Sequence, residues 1–178
     1  GFAYGPKKDD SYTKKLKTYL HDYHYVEEMS SDEIYSLCEK NHINIAIDLK
    51  GYTHNNRLEI FKKRIAPIQI SFLGYPGTTG LNTMDYILAD KTIFPEKYSK
   101  FYSEKVLLLP DCYQPNIKIK NISTKKISRK DFGLDEAKFI FCSFNFNYKI
   151  TPEMFDLWIK ILKETQNSIL WMLISNDT

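Results

Sequence analysis

Three loops hold the residues whose types and spacing could do chemistry. The first runs Asp48-Leu49-Lys50-Gly51-Tyr52-Thr53-His54-Asn55-Asn56-Arg57, and the second Leu73-Gly74-Tyr75-Pro76-Gly77-Thr78-Thr79-Gly80. The third runs Ser143-Phe144-Asn145-Phe146-Asn147-Tyr148-Lys149-Ile150-Thr151-Pro152. Each ends a run rich in β-branched or aromatic residues and opens towards a helix or turn. That is where α/β folds place ligands, at the carboxyl ends of strands. In the second loop, glycines bring bare backbone close to a ligand and Pro76 stiffens the path, although an ordinary connection uses the same residues. In the third, Lys149 stands just ahead of a helix start, where free N–H groups and the dipole favour an anion. Tyr148 beside it offers a ring to a sugar or base, while a lone lysine in such a place is commonly just solvated. His54 follows a strand, but one loop histidine makes no catalytic dyad. His21 and His24 have a metal-ligand spacing that no carboxylate or cysteine pattern completes. No GxSxG, P-loop or GxGxxG occurs.

The elements that must position these loops alternate on a short cycle. Residues 11–20 read as a helix with Tyr12, Leu16, Tyr19 and Leu20 on one face. Ser30 and Glu33 offer a capping box for a helix through Ile34 and Cys38. Residues 43–49 read as a strand, and 57–66 as an amphipathic helix with Leu58, Phe61 and Ile65 at helical spacing, stopped by Pro67. Residues 68–73, 85–89 and 106–109 follow as strands. A polar stretch at 114–130, with basic residues and no acid, reads as a linker. Residues 139–144 then predict a buried strand, with Cys142 as a small core residue. Thr151 as N-cap and Pro152 at the first helical position start a helix whose apolar face is Met154, Phe155, Trp158, Ile161 and Leu162. Residues 168–174 are the last strand. This alternation is the pattern of βαβ units and a parallel sheet, so the fold class is α/β. A single closing βαβ unit would leave its sheet without neighbours. The chain is therefore expected to be a piece of something larger, one nearly complete α/β domain with the opening of a second.

Composition narrows the partners. With 178 residues and 43% hydrophobic content, the chain has enough material for a core. Its longest apolar runs are far too short to span a bilayer, so no membrane partner is expected. Residues 1–11 lack the pattern of a signal peptide. The three cysteines are odd in number and widely spaced, which suggests neither a disulfide framework nor a zinc site and points to a reduced, cytoplasmic compartment. The net charge of +3 balances 25 basic against 22 acidic residues. Only Arg57, Arg64 and Arg129 among the basic residues are arginine, the type favoured for base-edge and bidentate phosphate contacts, so no nucleic-acid partner is expected. The basic stretch at 118–130 also has few interleaved aromatics to stack bases.

Read in order, several motifs carry a family resemblance. They are Asp48-Leu-Lys-Gly-Tyr-Thr53 with Asn56-Arg57, Ala66-Pro-Ile-Gln69, Leu73-Gly-Tyr-Pro-Gly-Thr-Thr-Gly80, and Met84-Asp-Tyr86. Tyr102-Ser-Glu-Lys105, Leu109-Pro-Asp-Cys-Tyr-Gln-Pro115, Cys142-Ser-Phe-Asn145 and Tyr148-Lys-Ile-Thr-Pro152 complete the series. Together they resemble the catalytic region of the O-linked N-acetylglucosamine transferase and SPINDLY family, bacterial members most, over nearly the whole chain.

The resemblance implies a GT-B architecture, two Rossmann-like domains with a nucleotide sugar in the cleft between them. Residues 1–113 would be the later part of the N-terminal domain, 114–130 a linker, and 131–178 the beginning of the donor-binding domain. It implies transfer of N-acetylglucosamine from UDP-N-acetylglucosamine to Ser or Thr of acceptor proteins, with inversion, without a metal and with no cofactor beyond the donor. TPR repeats usually precede such a region. Leu73, Gly74, Tyr75 and Pro76 would lie against the donor sugar, Gly74 being glycine because the sugar approaches its backbone. Tyr148 and Lys149 would sit at sugar and diphosphate, with Lys149 and helix-terminal amides stabilising the leaving group. Thr53, His54 and Arg57 would border the acceptor. Phe146-Asn147 departs from the Gln-Leu or Asn-Ser of some members. The family's His-Pro segment would lie upstream of Gly1 and its His-Thr-Thr segment downstream of Thr178, so these 178 residues alone are expected to be inactive. The alternatives are a SPINDLY-like fucosyltransferase using GDP-fucose, or a truncated, non-catalytic interaction module.

Overall fold

Strand and helix alternate in the computed structural model, which describes residues 1–116 and 123–173. The chain divides into two units, Gly1–Lys118 and Ile119–Thr178. In the first, β1 (Phe2–Ala3) leads through helix α1 (Ser11–Tyr19) to β2 (His24–Tyr25), which pairs with it in parallel. Helix α2 (Ser31–Lys40) follows. Then β3 (Ile45–Asp48), β4 (Ile68–Ser71), β5 (Tyr86–Ala89) and β6 (Lys105–Leu108) form a parallel sheet in sequence order. The second unit is one βαβ turn, β7 (Phe139–Ser143), α3 (Pro152–Glu164) and β8 (Ser168–Met172), with its strands parallel. Ile174 lies outside the described residues, as do positions 117–122 of the polar stretch.

Local sequence explains the helix starts. The Ser30 hydroxyl accepts from the Glu33 amide at 3.3 Å while the Glu33 carboxylate accepts from the Ser30 amide at 2.7 Å, a complete capping box. Thr151 accepts from the Met154 amide at 3.3 Å, with Pro152 as the first residue of α3. The segment 57–66 is not an α-helix. It forms a short 3-10 turn over Leu58–Lys63, ended by Arg64 in the left-handed region at φ 51°. Arg64 is held there by a bidentate pair with Asp85 at 2.9 and 3.0 Å, a tertiary contact that helical periodicity does not reveal. Of the expected apolar face of α1, Tyr12, Leu16 and Tyr19 are exposed, Tyr12 at 82%, and Leu20, just past the helix, is partly buried. Cys142 is exposed rather than in a core, because β7 has only β8 beside it among the described residues.

Alternation along the strands gives the four-stranded sheet two unlike faces. Ala46, Asp48, Gln69, Ser71, Ile87 and Ala89 point into the core, where Ile34 and Cys38 of α2 pack with Leu58, Phe61 and Ile65. Burial pushes the Cys38 thiol up to about 11, as befits a packing residue. Ile45, Ile47, Ile68 and Leu107 lie on the opposite face and are exposed.

Two buried polar side chains fix the loops between strands. Gln69 has no solvent exposure, and its amide group is saturated. Its Nε2 donates to the carbonyls of Phe61 at 2.9 Å and Thr83 at 2.7 Å, and its Oε1 accepts from the Ile65 amide at 3.0 Å. Glu104, also buried, accepts from the Thr79 amide at 2.7 Å, the Thr78 hydroxyl at 2.7 Å and the Thr79 hydroxyl. Burial alone would raise the Glu104 carboxyl. The hydrogen bonds from Thr79 and Thr78 outweigh it and hold the group below the usual carboxylate range.

Gln69→Leu keeps the bulk but strands one buried amide and two carbonyls, each costing about 1–3 kcal/mol. Thermal unfolding followed by circular dichroism is expected to show a melting point lower by on the order of 10 °C; an unchanged melting point would mean that these groups find other partners. Glu104 titrates lower folded than unfolded. Its contribution is therefore complete above the unfolded value of about 4.3 and is lost as pH falls through the folded one. Glu104→Gln is expected to melt lower than the parent at neutral pH, with the gap narrowing below about pH 4. Parallel melting-point curves across that range would remove Glu104 from the acid transition.

Candidate functional site

The first two loops leave the carboxyl ends of the adjacent strands β3 and β4, and they are built into one another. Asp48 closes β3 and caps its own loop, accepting from the amides of Lys50 at 3.1 Å and Gly51 at 2.8 Å. The loop is tightened by Asn56, whose side chain donates to the Thr53 carbonyl at 3.0 Å, and by Lys50, whose ammonium reaches the Asn55 carbonyl at 3.1 Å. Leu73 turns the second loop through the left-handed region at φ 73°. This is a conformation uncommon for a branched side chain.

Gly74 then passes directly over the first loop. A Cβ on Gly74 would stand 2.4 Å from the Leu49 carbonyl oxygen and 2.8 Å from the Lys50 Cα, both backbone atoms. The neighbouring loop thus accounts for glycine here without any ligand, which corrects the reason expected from sequence. Gly51, at φ 55°, is bound in the same way, with a Cβ meeting that of Tyr75 at 2.6 Å. Tyr75 packs edge-on against Tyr52 at 5.8 Å, and the Tyr52 hydroxyl donates to the Thr79 carbonyl at 2.7 Å. The Tyr102 hydroxyl donates to the Pro76 carbonyl at 3.1 Å, and burial together with Tyr75 and Glu104 raises its pKa so that it stays a donor.

Among the residues expected at the acceptor, Thr53 is half-buried and His54 exposed on the first loop. Arg57 is committed elsewhere. Its guanidinium donates to the carbonyls of Val26 at 2.9 Å and Met29 at 2.8 Å, and its Nε pairs with Glu59 at 3.2 Å. It anchors the approach to α2 rather than presenting a charge to a ligand. Gly74 and Tyr75 thus meet the first loop at residues 49–52, and Thr53 and His54 follow on that same loop. None of Leu73, Gly74, Tyr75, Pro76, Thr53 and His54 lines the cavity of about 680 Å³ in this unit, which is walled by Phe2, Tyr4, Leu20, Val26 and Ile47 and is mostly apolar.

The third loop belongs to the second unit. After β7, Asn147–Lys149 makes a 3-10 turn, with the Lys149 amide donating to the Phe146 carbonyl at 3.0 Å. Tyr148 is 82% exposed, and Lys149 is exposed with its ammonium 6.0 Å from the Tyr148 ring centroid. Phe146 stacks on Tyr148 at 5.9 Å and 16°. That pairing is not evident from the sequence, where the two rings are simply i and i+2. The start of α3 is less open to an anion than its position suggests. The Glu153 carboxylate sits there, held below its usual range by its own amide and the Thr151 hydroxyl. Lys149, rather than helix-end amides, is the exposed positive group in this loop.

The sequence pattern of glycosyl transferase family 41 matches residues 2–125 and 117–176. A relative from Arabidopsis thaliana, named probable UDP-N-acetylglucosamine–peptide N-acetylglucosaminyltransferase SEC, is 41% identical over 97% of this chain and 18% of its own length. A Petunia hybrida protein named probable UDP-N-acetylglucosamine–peptide N-acetylglucosaminyltransferase SPINDLY is 33% identical over 78% of this chain and 14% of its own. Among solved structures, a mutant O-GlcNAc transferase of Thermobaculum terrenum superposes with a TM-score of 0.78 at 26% identity, covering 96% of this chain and 32% of that one. The fold is therefore of the GT-B type, carrying part of one Rossmann-like domain and the start of a second. The chain spans less than a fifth of the length of these curated relatives. The motif order along both units and the matches across nearly all 178 residues have one reading: the chain belongs to glycosyl transferase family 41.

Proposed function

We propose that this chain is a segment of a longer, cytoplasmic protein O-glycosyltransferase, preceded by TPR repeats, that moves N-acetylglucosamine from UDP-N-acetylglucosamine to Ser or Thr hydroxyls of acceptor proteins. The observation that carries this reading is the 41% identity, across 97% of the chain, with a relative whose name states that activity. The relatives named SPINDLY, at lower identity and over less of the chain, carry the same UDP-N-acetylglucosamine activity in their names, which also favours that donor over GDP-fucose. Leu73, Gly74, Tyr75 and Pro76 would border the donor sugar, Tyr148 and Lys149 the sugar and diphosphate, and Thr53 and His54 the acceptor. Arg57 would act on the acceptor side only indirectly, by holding the end of the first loop against the approach to α2.

In the proposed inverting step, the acceptor oxygen forms its bond to the anomeric carbon as the bond to the diphosphate oxygen breaks, and the acceptor proton is lost to a base. Negative charge grows on the diphosphate as it leaves. The Lys149 ammonium, on a short turn fixed by its own backbone hydrogen bond, would neutralise that charge without a metal.

A group that acts on developing charge lowers the barrier more than it tightens substrate binding. In the longer protein, Lys149→Ala is expected to lower kcat on the order of 10²–10³-fold with a much smaller rise in donor KM. Near-normal kcat in steady-state assays would return Lys149 to the solvated surface. Residues 1–178 by themselves are expected to transfer no label from UDP-N-acetylglucosamine to a Ser/Thr-rich peptide, and repeated turnover would show that the His-Pro and His-Thr-Thr segments are not needed for transfer.

A further inference from the structure

Strands β1 and β3 each carry an edge with no strand beside it. β1 pairs with β2 and β3 with β4, so among the described residues the two lie in separate sheets. Their hydrogen bonds show which groups face the open edges. In a parallel pair each residue turns its N–H and C=O to one side, and the next residue turns them to the other. The Gly1 and Ala3 carbonyls accept from the His24 and Val26 amides on the β2 side. The peptide groups of Phe2 and Tyr4 therefore face away from β2. The Asn44 and Asp48 carbonyls accept from the Ile68 and Phe72 amides on the β4 side, so those of Ile45 and Ile47 face away from β4. Phe2, Tyr4, Ile45 and Ile47 all line the apolar cavity of about 680 Å³. A small apolar molecule would fill such a volume but leave both edges unpaired, and an unpaired edge is a template for a strand.

Strand order points the same way. A Rossmann-like sheet runs 3-2-1-4-5-6, its two halves growing outward from the central pair. Here β2-β1 reads as positions 3-2 and β3-β4-β5 as positions 4-5-6, with β6 beyond them. Position 1, between β1 and β3, is filled by no strand among the described residues. Elsewhere in this unit strands consecutive within each sheet lie side by side, so the strand at position 1 is the one that precedes β1. We propose that the slot between β1 and β3 takes one further parallel strand, supplied by the stretch of the longer polypeptide just before Gly1. The curated relatives extend far beyond the matched region, which is 18% of one and 14% of another, so polypeptide to supply it exists in this family. The strand is about five or six residues long and apolar throughout, because a parallel strand inside a sheet is covered on both faces. Parallel to β3, it ends level with Asp48, where the first loop begins. This rests on the reading of the chain as a segment of a longer protein, and not on the sugar that protein transfers.

The test is hydrogen exchange resolved to single amides. NMR reads it on the 178-residue chain, alone and with synthetic peptides of about ten residues, twice a strand's length, that tile the stretch before Gly1. Mass spectrometry with electron-transfer fragmentation reads it on the longer protein. In the chain alone, the amides of Tyr4, Ile45 and Ile47 are expected to exchange freely while those of Ala46 and Asp48, which face β4, are slow. One peptide is expected to slow Tyr4, Ile45 and Ile47 together by about tenfold or more, its scrambled version to do nothing, and the longer protein to show all three slow. Slow exchange at these amides in the chain alone overturns the proposal. If that slowing grows with protein concentration, a second copy is the occupant. A peptide that binds without slowing them marks the cavity as a pocket for apolar side chains and also overturns it. Free exchange in the longer protein does the same, and so does protection there that no peptide from the preceding stretch reproduces. Each of these results is compatible with normal sugar transfer by the longer protein, and a longer protein without that activity leaves the proposal standing.

Discussion

A side-chain amide with no access to water organises the first unit. Gln69 sits on β4, and its two donated bonds and one accepted bond tie together the 3-10 turn at Leu58–Lys63, the segment that follows Arg64, and the connection into β5. Its own backbone amide donates to Asp85 at 2.8 Å, and Asp85 is the carboxylate that Arg64 grips. An interior amide is tolerable only when every one of these groups is matched. The requirement works in both directions. Two connections, the one into β4 and the one leaving it, must arrive in register for Gln69 to be satisfied, and once they do, β4 and the segments on either side of it cannot shift independently.

That fixed frame explains why the ends of β3 and β4 are so closely determined. Asp48 and Glu104 are each buried carboxylates, and each spends its acceptors on loop amides and hydroxyls rather than on a cation. The backbone of one loop then lies against the glycine of the next. The result is a pair of loops whose shape is set before any ligand arrives, the condition under which positioned groups are worth most in catalysis. The second unit is built differently. Its candidate residues stand on a 3-10 turn at the edge of a two-stranded sheet and are largely in solvent.

Much of this was legible in the residues. Ser30 with Glu33, and Thr151 with Pro152, are local signals whose partners lie within four positions, and the helices begin where they indicate. The parallel sheet follows from alternating runs with helical connections. Other features depend on partners distant in sequence and left no local trace. The segment after Arg57 has helical spacing, yet Arg64 is drawn into a left-handed turn by Asp85, 21 residues away. Sequence gives Gly74 a ligand as its reason for being glycine, but the Leu49 carbonyl beneath it already requires glycine there. Arg57 has the chemistry of a ligand-binding residue, but carbonyls 28 and 31 positions earlier claim it. Motif order identified the family because order survives along a sequence, whereas the reason for each motif residue is a matter of neighbours.

The sheet's second face carries one more implication. Ile45, Ile47, Ile68 and Leu107 form an apolar surface across strands β3, β4 and β6, although parallel sheets ordinarily have both faces covered. A further part of a longer polypeptide or a neighbouring molecule shaped to lie there binds the folded arrangement and not the unfolded chain. By mass action it adds to the free energy of folding. The melting behaviour of the first unit is therefore a joint property of its sequence and its surroundings, and a value measured at one protein concentration or in one buffer additive does not transfer to another.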